Sequence, residues 1–478
     1  MDKIKPKLEL LTEAEIEKIH QCSLNILEQV GVIFKEAQAL ELFRHHGIRV
    51  EGETVYLSAA AVEKALATIP QSFTLRGRDP GKSVVIGAGE PVLAPGSGAV
   101  FIQDTAEGRR KGTRADYIKL VKLVHTSPLL QVNGGGLVTV SDVEERLQHV
   151  FMLLTLLKYT DKPLLGFTLG REAARDSIYL AQLAFGEKSE NIILGVANAV
   201  TPLLYDATMI EGIREFVLNN QPICIASCSM AGSTSPVTLA GSLACVNAEL
   251  LAGMVFTQLL KPGAPVIYGN TSAITDMKTM TLAIGAVETA MINLAASQLA
   301  KYYHIPFRSG GSLSDAKEVD VQAGYESMLN LATSVFDGAS FVLQATGILE
   351  SFMTLSYDKF IIDEEIGMML RRYGKGFQLG EEDLAFELIK ERGAGGHFLD
   401  AEHTMHHFRR EFFDPQVSNR QPYEIWRRNP ITAVNKAGEI WRKRLTDYEA
   451  PRLDKGCQEA INKYIEQKYG RLTIDALC

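Results

Sequence analysis

From residue 92 to residue 344 the chain repeats one pattern: a short apolar run without polar alternation, a small or polar residue at its end, then a helical stretch. The runs are Val92-Leu93-Ala94-Pro95-Gly96, Gln131-Val132-Asn133 with Gly134-Gly135-Gly136, Pro163-Leu164-Leu165-Gly166-Phe167-Thr168 and Ile192–Asn198. Pro222–Ser227, Pro265–Asn270, Pro306-Phe307-Arg308 and Phe341–Gln344 complete the series. Continuous apolar runs mark strands buried on both faces, the condition of parallel strands joined by helices. They recur about every 30–40 residues, the length of a βα unit. This predicts an α/β chain closed as a (β/α)8 TIM barrel. An open doubly wound sheet fits less well, because no strand leads into a G-x-G-x-x-G turn or a P-loop.

The flanks read differently. Residues 1–90 predict an N-terminal helical and small α/β cap: Thr12 with Glu15 forms a capping box, Val50–Leu57 a hairpin around Gly52, and Ser58 caps a further helix. Residues 91–350 hold the barrel, with helix starts at Thr113/Asp116 and Ser141/Glu144. Residues 351–478 predict a C-terminal helical extension packed on the barrel.

Lys and Arg number 49 against 57 Asp and Glu, a net charge of −8. No long basic run is present, which argues against nucleic acid as a partner. The opening MDKIKPKLELL lacks the apolar core of a signal peptide, and no apolar stretch of membrane-spanning length stands out. The expectation is a cytoplasmic protein without a membrane partner. Six cysteines (Cys22, Cys224, Cys228, Cys245, Cys457, Cys478) form no paired framework, and Cys224/Cys228 read as packed thiols rather than ligands.

In a barrel of this kind the functional groups sit at the C-terminal ends of the strands. Those ends offer Asn133, Phe167-Thr168, Asn198, Ser227-Cys228, Tyr268 to Asn270, Arg308-Ser309 and Gln344. They contain no carboxylate pair, no metal-ligating cluster and no lysine, so they suit recognition and positioning more than acid–base work. Arg308 is the one cation among them. It suits bidentate pairing with a carboxylate, of Asp315 or Asp320 in the first instance, or of a ligand. Phe167, Tyr268 and Phe352 either fill the barrel or wall a cation site. Glycines 134–136 and Gly310-Gly311 permit close backbone approach or simply turn the chain. His403, His406 and His407 share a helix face at i, i+3, i+4. With His397 behind its glycine pair they open an alternative: a metal-dependent lyase or hydrolase.

Three separated motifs carry a resemblance. They are Ser314-Asp315-Ala316-Lys317 continuing to Asp320–Glu326, then Ala345-Thr346-Gly347-Ile348-Leu349-Glu350-Ser351, and Gly395-Gly396-His397-Phe398-Leu399 followed by His403-Thr404. In this order, with Phe408–Phe413 and Trp426, they resemble the trimethylamine methyltransferase (MttB) superfamily over nearly the full chain. Founding members carry pyrrolysine in the segment corresponding to Val319–Glu326; here that segment holds ordinary residues. The resemblance is therefore to the pyrrolysine-free branch. It implies methyl transfer from a quaternary amine (glycine betaine, proline betaine, carnitine or γ-butyrobetaine) to the Co(I) corrinoid of a separate corrinoid protein. No cofactor is then tightly bound: no D-x-H-x-x-G corrinoid motif occurs, so the cobalamin arrives on the partner. The roles implied are Asn198 and Gln344 as catalytic positioning groups, with Phe167, Tyr268 and Phe352 as cage walls. Asn270 and Gly311 join the substrate site, and Arg308 or His397 contacts the carboxylate. A homo-oligomer is expected, and a non-catalytic betaine-binding protein is the remaining alternative.

Overall fold

The computed structural model describes residues 8–186 and 188–470; Cys478 lies outside them. Eight strands form one parallel sheet: β1 (Val92–Leu93), β2 (Asn133–Gly134), β3 (Leu164–Leu165), β4 (Ile193–Asn198), β5 (Ile223–Ser227), β6 (Val266–Asn270), β7 (Phe307–Gly310) and β8 (Phe341–Leu343). They are ordered 1-8-7-6-5-4-3-2. The outermost two also meet: Gln131 N–H donates to the Leu93 carbonyl at 2.9 Å, and Leu93 N–H donates to the Gln131 side chain at 2.8 Å. These bonds join β1 to the entry of β2 and close the barrel.

Helices follow the strands in turn: α1 (Arg114–Thr126), α2 (Glu145–Tyr159), α3 (Gly170–Phe185), α4 (Ala207–Leu218), α5 (Leu239–Leu260), α6 (Val287–Tyr302), α7 (Val321–Asp337) and α8 (Tyr357–Lys375). The Thr12/Glu15 and Thr113/Asp116 capping boxes form. Ser141 caps nothing: α2 starts from Glu144 without a side-chain cap, and the Ser141 hydroxyl bonds to the Gly112 carbonyl instead. α5 is long and apolar enough to cross a bilayer, contrary to the sequence expectation, yet 83% of its most apolar stretch is buried inside the protein. It is a barrel helix packed on all sides.

Two apolar layers result from strand alternation, in which successive side chains face opposite sides of the sheet. Val92, Val132, Leu165, Leu194, Cys224, Ala226, Ile267, Phe341 and Leu343 fill the barrel. The antiparallel pair Phe73–Leu75 and Val84–Ile86 adds Phe73, Leu75 and Ile86 to this cluster and so plugs one end. The other parity, including Ile193, Ile223, Ile225, Val266, Tyr268 and Phe307, packs outward against the helices. The N-terminal cap is stitched to this body by its own sheet, which takes Leu204–Tyr205 from the loop after β4 as an edge strand.

α8 completes the eightfold alternation, so the barrel body runs past residue 350, where the sequence placed its end, to residue 375. Two later helices return to the barrel: α9 (Ala433–Thr446) packs on α8 and α1, and α10 (Lys455–Tyr469) on α3. Trp441 anchors α9 by stacking on Tyr357 at 4.9 Å and donating to Asp358. Between α8 and α9 the chain forms an arm, residues 376–432, in which only Ala401 and Val417 are buried.

Candidate active site

A cavity of about 690 Å³ opens at the C-terminal ends of the strands. Its floor contains Arg308 and Gln344, its walls Asn198, Phe167 and Phe352, and its rim the backbone of residues 97–98 and 135–136. Five of the residues expected at the site therefore meet in one place.

Arg308 dominates the electrostatics. Its side chain follows the inward parity of β7 and is 2% exposed. One guanidinium nitrogen donates to Gln344 Oε1 at 2.7 Å and the other to the Asn270 carbonyl at 3.2 Å, while Nε has no partner. Among the described residues no carboxylate pairs with it; burial lowers its pKa, and only the nearby Cys224 and Cys228 oppose that shift. Both thiols are themselves pushed up by burial, Cys224 to about 12, and supply no charge at neutral pH. The internal ion pair expected from sequence does not form. Asp315 is taken up by the amides of Ile284 and Gly285 and the Ser351 hydroxyl, and Asp320 caps α7 through the Ala323 amide. A buried cation without an anion is costly unless a ligand supplies one.

Gln344 is held in a matching way. Its φ is +59°, a left-handed conformation that non-glycine residues rarely adopt. Its amide N–H donates to the Pro95 carbonyl at 3.1 Å and its carbonyl accepts from Ser312 at 2.9 Å, which pins the turn. Because a guanidinium only donates, the Gln344 oxygen must face Arg308 and its NH2 is left to donate elsewhere. Phe352 ends a run of three left-handed non-glycine residues, Glu350, Ser351 and Phe352, at φ of 52°, 51° and 75°. Such positions cost about 1–3 kcal/mol each and persist only under external constraint. The constraint is visible: Glu350 pairs with Arg109 at 2.7 Å and Ser351 donates to Asp315 at 2.6 Å. Phe167 is clamped through its backbone by Ser177 of α3. Asn198 is exposed to the cavity with no hydrogen bond to its amide among the described residues.

Four expected residues lie elsewhere. Tyr268 and Asn270 have the parity of Val266, which faces the helices, so both point away from the barrel interior. Tyr268 is fully buried and its hydroxyl donates to Asn247 of α5 at 2.9 Å, while Asn270 donates to Asn293 of α6 at 2.8 Å. Tyr268 is thus no cage wall, and only the backbone carbonyl of Asn270 reaches Arg308. Gly311 is packed so closely that a Cβ would stand 2.5 Å from the Ala345 Cα, so it is a tight crossing rather than a path for ligand. His397 is on the arm, exposed, and 3.5 Å from Asp400.

The His403 and His407 rings lie 4.3 Å apart on the arm, tilted at 47°, each bonded to Glu382. No group of three His, Cys, Asp or Glu among the described residues could hold a metal ion. The metal-dependent alternative therefore loses its ligand set. Val319–Glu326 spans the N-cap Asp320 and the first turns of α7, beside a separate cleft of about 320 Å³, and none of it borders the large cavity.

Sequence reasoning missed the contribution of α2. Glu145, Gln148, His149 and Met152 recur at i, i+3, i+4 and i+7, one helix face, and all four line the cavity. That spacing was visible; what hid it was the expectation that functional groups come only from strand ends. Cys228 and Thr271, one residue beyond β5 and β6, also line the cavity.

Known proteins place this geometry. The family model for trimethylamine methyltransferase (MTTB) matches residues 1–472. A glycine betaine methyltransferase of Desulfitobacterium hafniense is 41% identical over 472 residues, covering 98% of each chain. A proline betaine:corrinoid methyltransferase of Eubacterium limosum is 30% identical, covering 95% of this chain and 96% of the relative. Among solved structures, the hydroxylamine complex of the methyltransferase MtmB superposes with a TM-score of 0.57 at 12% identity, covering 94% of this chain and 90% of its own, which supports the barrel fold. A closed barrel and a full-length match together make this chain a methyltransferase of the trimethylamine methyltransferase (MttB) superfamily.

Proposed function

We propose that the enzyme removes a methyl group from a betaine-type quaternary amine, with glycine betaine the first candidate, and passes it to the Co(I) corrinoid of a separate protein. The observation that carries this reading is Arg308, a buried guanidinium at the cavity floor with a free Nε and no protein carboxylate. A betaine carboxylate supplies the missing anion, and the Gln344 NH2 stands ready as an additional donor. The identities to a glycine betaine methyltransferase and a proline betaine:corrinoid methyltransferase support the same choice. Proline betaine, carnitine and γ-butyrobetaine share the required chemistry.

With the carboxylate at the floor, the ammonium lies toward the mouth, between the rings of Phe167 and Phe352. Each aromatic face contributes about 0.5–2 kcal/mol toward a cation. The residues of the mouth fit a large acceptor docking from outside: Gly98, at φ +91°, has no atom within 4 Å of where a Cβ would stand. The docked corrinoid supplies the nucleophile. The C–N bond breaks with its electron pair staying on nitrogen, so the leaving group is a neutral tertiary amine and needs no proton. The substrate's positive charge diminishes toward the transition state and is gone in the product amine, so a strong anion against it would favour the ground state. Phe167, Phe352 and Asn198 hold the cation by faces and dipoles, which avoids that penalty. Alignment is the remaining contribution, one methyl held in line with the acceptor.

Glu145, at the exposed start of α2, is the one carboxylate among the residues lining the cavity, and it stands at the rim. We place the enzyme in the cytoplasm, as an oligomer of identical chains. The reading is tested by mixing the protein with a reduced corrinoid, free or protein-bound, and a panel of quaternary amines, and following methylation by absorbance. Methylation with betaines supports it; binding of betaines without methylation of any acceptor rejects it.

A further inference from the structure

α10 (Lys455–Tyr469) is the last described helix and does not border the cavity, yet it reaches one of its walls through a single carboxylate. Asp176 of α3 is fully buried. It accepts from the hydroxyls of Tyr464 and Tyr469, from the Lys468 ammonium at 2.6 Å, and from His149 Nε2 at 2.9 Å. These donors lower its pKa to about 2, so it is a carboxylate at any working pH. A carboxylate only accepts, and His149 Nε2 therefore carries a proton. The other ring nitrogen, Nδ1, has no partner among the described residues, and the ring forms part of the cavity wall.

Lys468 lies between two carboxylates, 2.6 Å from Asp176 and 3.3 Å from Glu172. An Nε2-protonated neutral ring keeps a lone pair on Nδ1. The quaternary ammonium expected here has no N–H to donate and spreads its charge over its methyl hydrogens. It is met best by lone pairs and ring faces. A neutral lone pair attracts it without the ground-state penalty of a carboxylate.

We propose that His149 is a positioning residue for the substrate cation, presenting the Nδ1 lone pair of a ring whose tautomer and orientation are set by Asp176 and, through it, by Tyr464, Lys468 and Tyr469 of the C-terminal helix. This rests on the quaternary-amine reading above and adds a specificity element to the same site. It also gives α10 a role at the site beyond packing on the barrel.

The test compares glycine betaine with 3,3-dimethylbutanoate, its carbon isostere, which keeps the carboxylate and the shape but lacks the charge. Calorimetric binding of both is measured on the full-length protein, on His149→Leu and on Tyr469→Phe. Leu has neither a lone pair nor a ring face, and Asp176 keeps its three donors from Tyr464, Lys468 and Tyr469. The wild type is expected to prefer the betaine over the isostere, and His149→Leu to reduce that preference roughly tenfold while binding the isostere as before. Tyr469→Phe is expected to act in the same direction more weakly. ¹⁵N spectra of the wild type should show the Nε2–H tautomer of His149. Equal weakening of both ligands in His149→Leu, an unchanged preference, or a ring protonated at Nδ1 overturns the proposal. A wild type that binds the isostere and no quaternary amine instead rejects the underlying reading.

Discussion

Replacing Arg308 by Met removes the cavity's buried cation while keeping most of the side-chain volume. Hydrogen bonds to charged groups contribute about 1.5–3 kcal/mol each. Truncating one partner of a buried charged pair costs about 2–5 kcal/mol, which is roughly 30- to 4000-fold in Kd. Arg308→Met should therefore weaken glycine betaine by a factor in that range. Choline, with the same cationic head and no carboxylate, should bind the variant and the wild type alike. Stability of the unliganded protein supplies an independent check. Gln344 Oε1 and the Asn270 carbonyl lose their donor, at about 1 kcal/mol each, while an uncompensated buried charge costing several kcal/mol is released. The unliganded variant should unfold no more easily than the wild type, and saturating betaine should raise the wild-type Tm but not that of the variant. Calorimetry for binding and thermal denaturation for stability read both quantities. Equal loss of choline and betaine binding, or marked destabilisation of the unliganded variant, would show that Arg308 is structural and refute the reasoning.

Asn198→Ala should lower kcat/KM about tenfold with an unchanged Tm, because the amide faces the cavity without a protein partner; steady-state kinetics checks this. Tyr268→Phe should cost about 1 kcal/mol by chemical denaturation through the lost bond to Asn247 and leave KM for any quaternary amine unaltered. Glu249, buried and raised to about 7 from 4.5, holds its proton more tightly in the folded state. Its favourable contribution is complete below pH 4.5 and lost as pH rises toward 7. Glu249→Gln should therefore flatten the stability profile across that window, gaining roughly 3 kcal/mol relative to wild type at pH 8. The arm exposes Leu399, Leu379 and Phe412 at 83%, 74% and 68%, large apolar side chains that the proposed oligomer would cover. A second copy of the chain is the expected occupant. Leu399→Asp with Phe412→Asp should then shift sedimentation from oligomer to monomer.

The barrel was legible because eight apolar runs without alternation admit few other arrangements, and every one of them became a strand. The site was legible only in part. Strand alternation decides which face a residue takes, and the sequence reading ranked strand-end residues without it. Arg308 and Asn198 fell on the inner parity, whereas Tyr268 and Asn270 fell on the outer one. The absence of a protein anion at Arg308 could not be read at all: Asp315 is close in sequence, and only the fold shows it committed to Ile284, Gly285 and Ser351. His149 was hidden for a different reason. Its partner Asp176 is 27 residues away and is held by a helix nearly 300 residues further on, a connection with no local signature.

The proposed reaction is transfer of a methyl group from a quaternary nitrogen held in this cavity. Its most direct measurement is the NMR spectrum of the amine product after incubation of the enzyme, a reduced corrinoid acceptor and glycine betaine, choline or trimethylamine in parallel. Glycine betaine is expected to lose one methyl, giving the tertiary amine in step with acceptor methylation, with choline and trimethylamine turned over far more slowly. Faster turnover of trimethylamine than of any carboxylate-bearing substrate would contradict it.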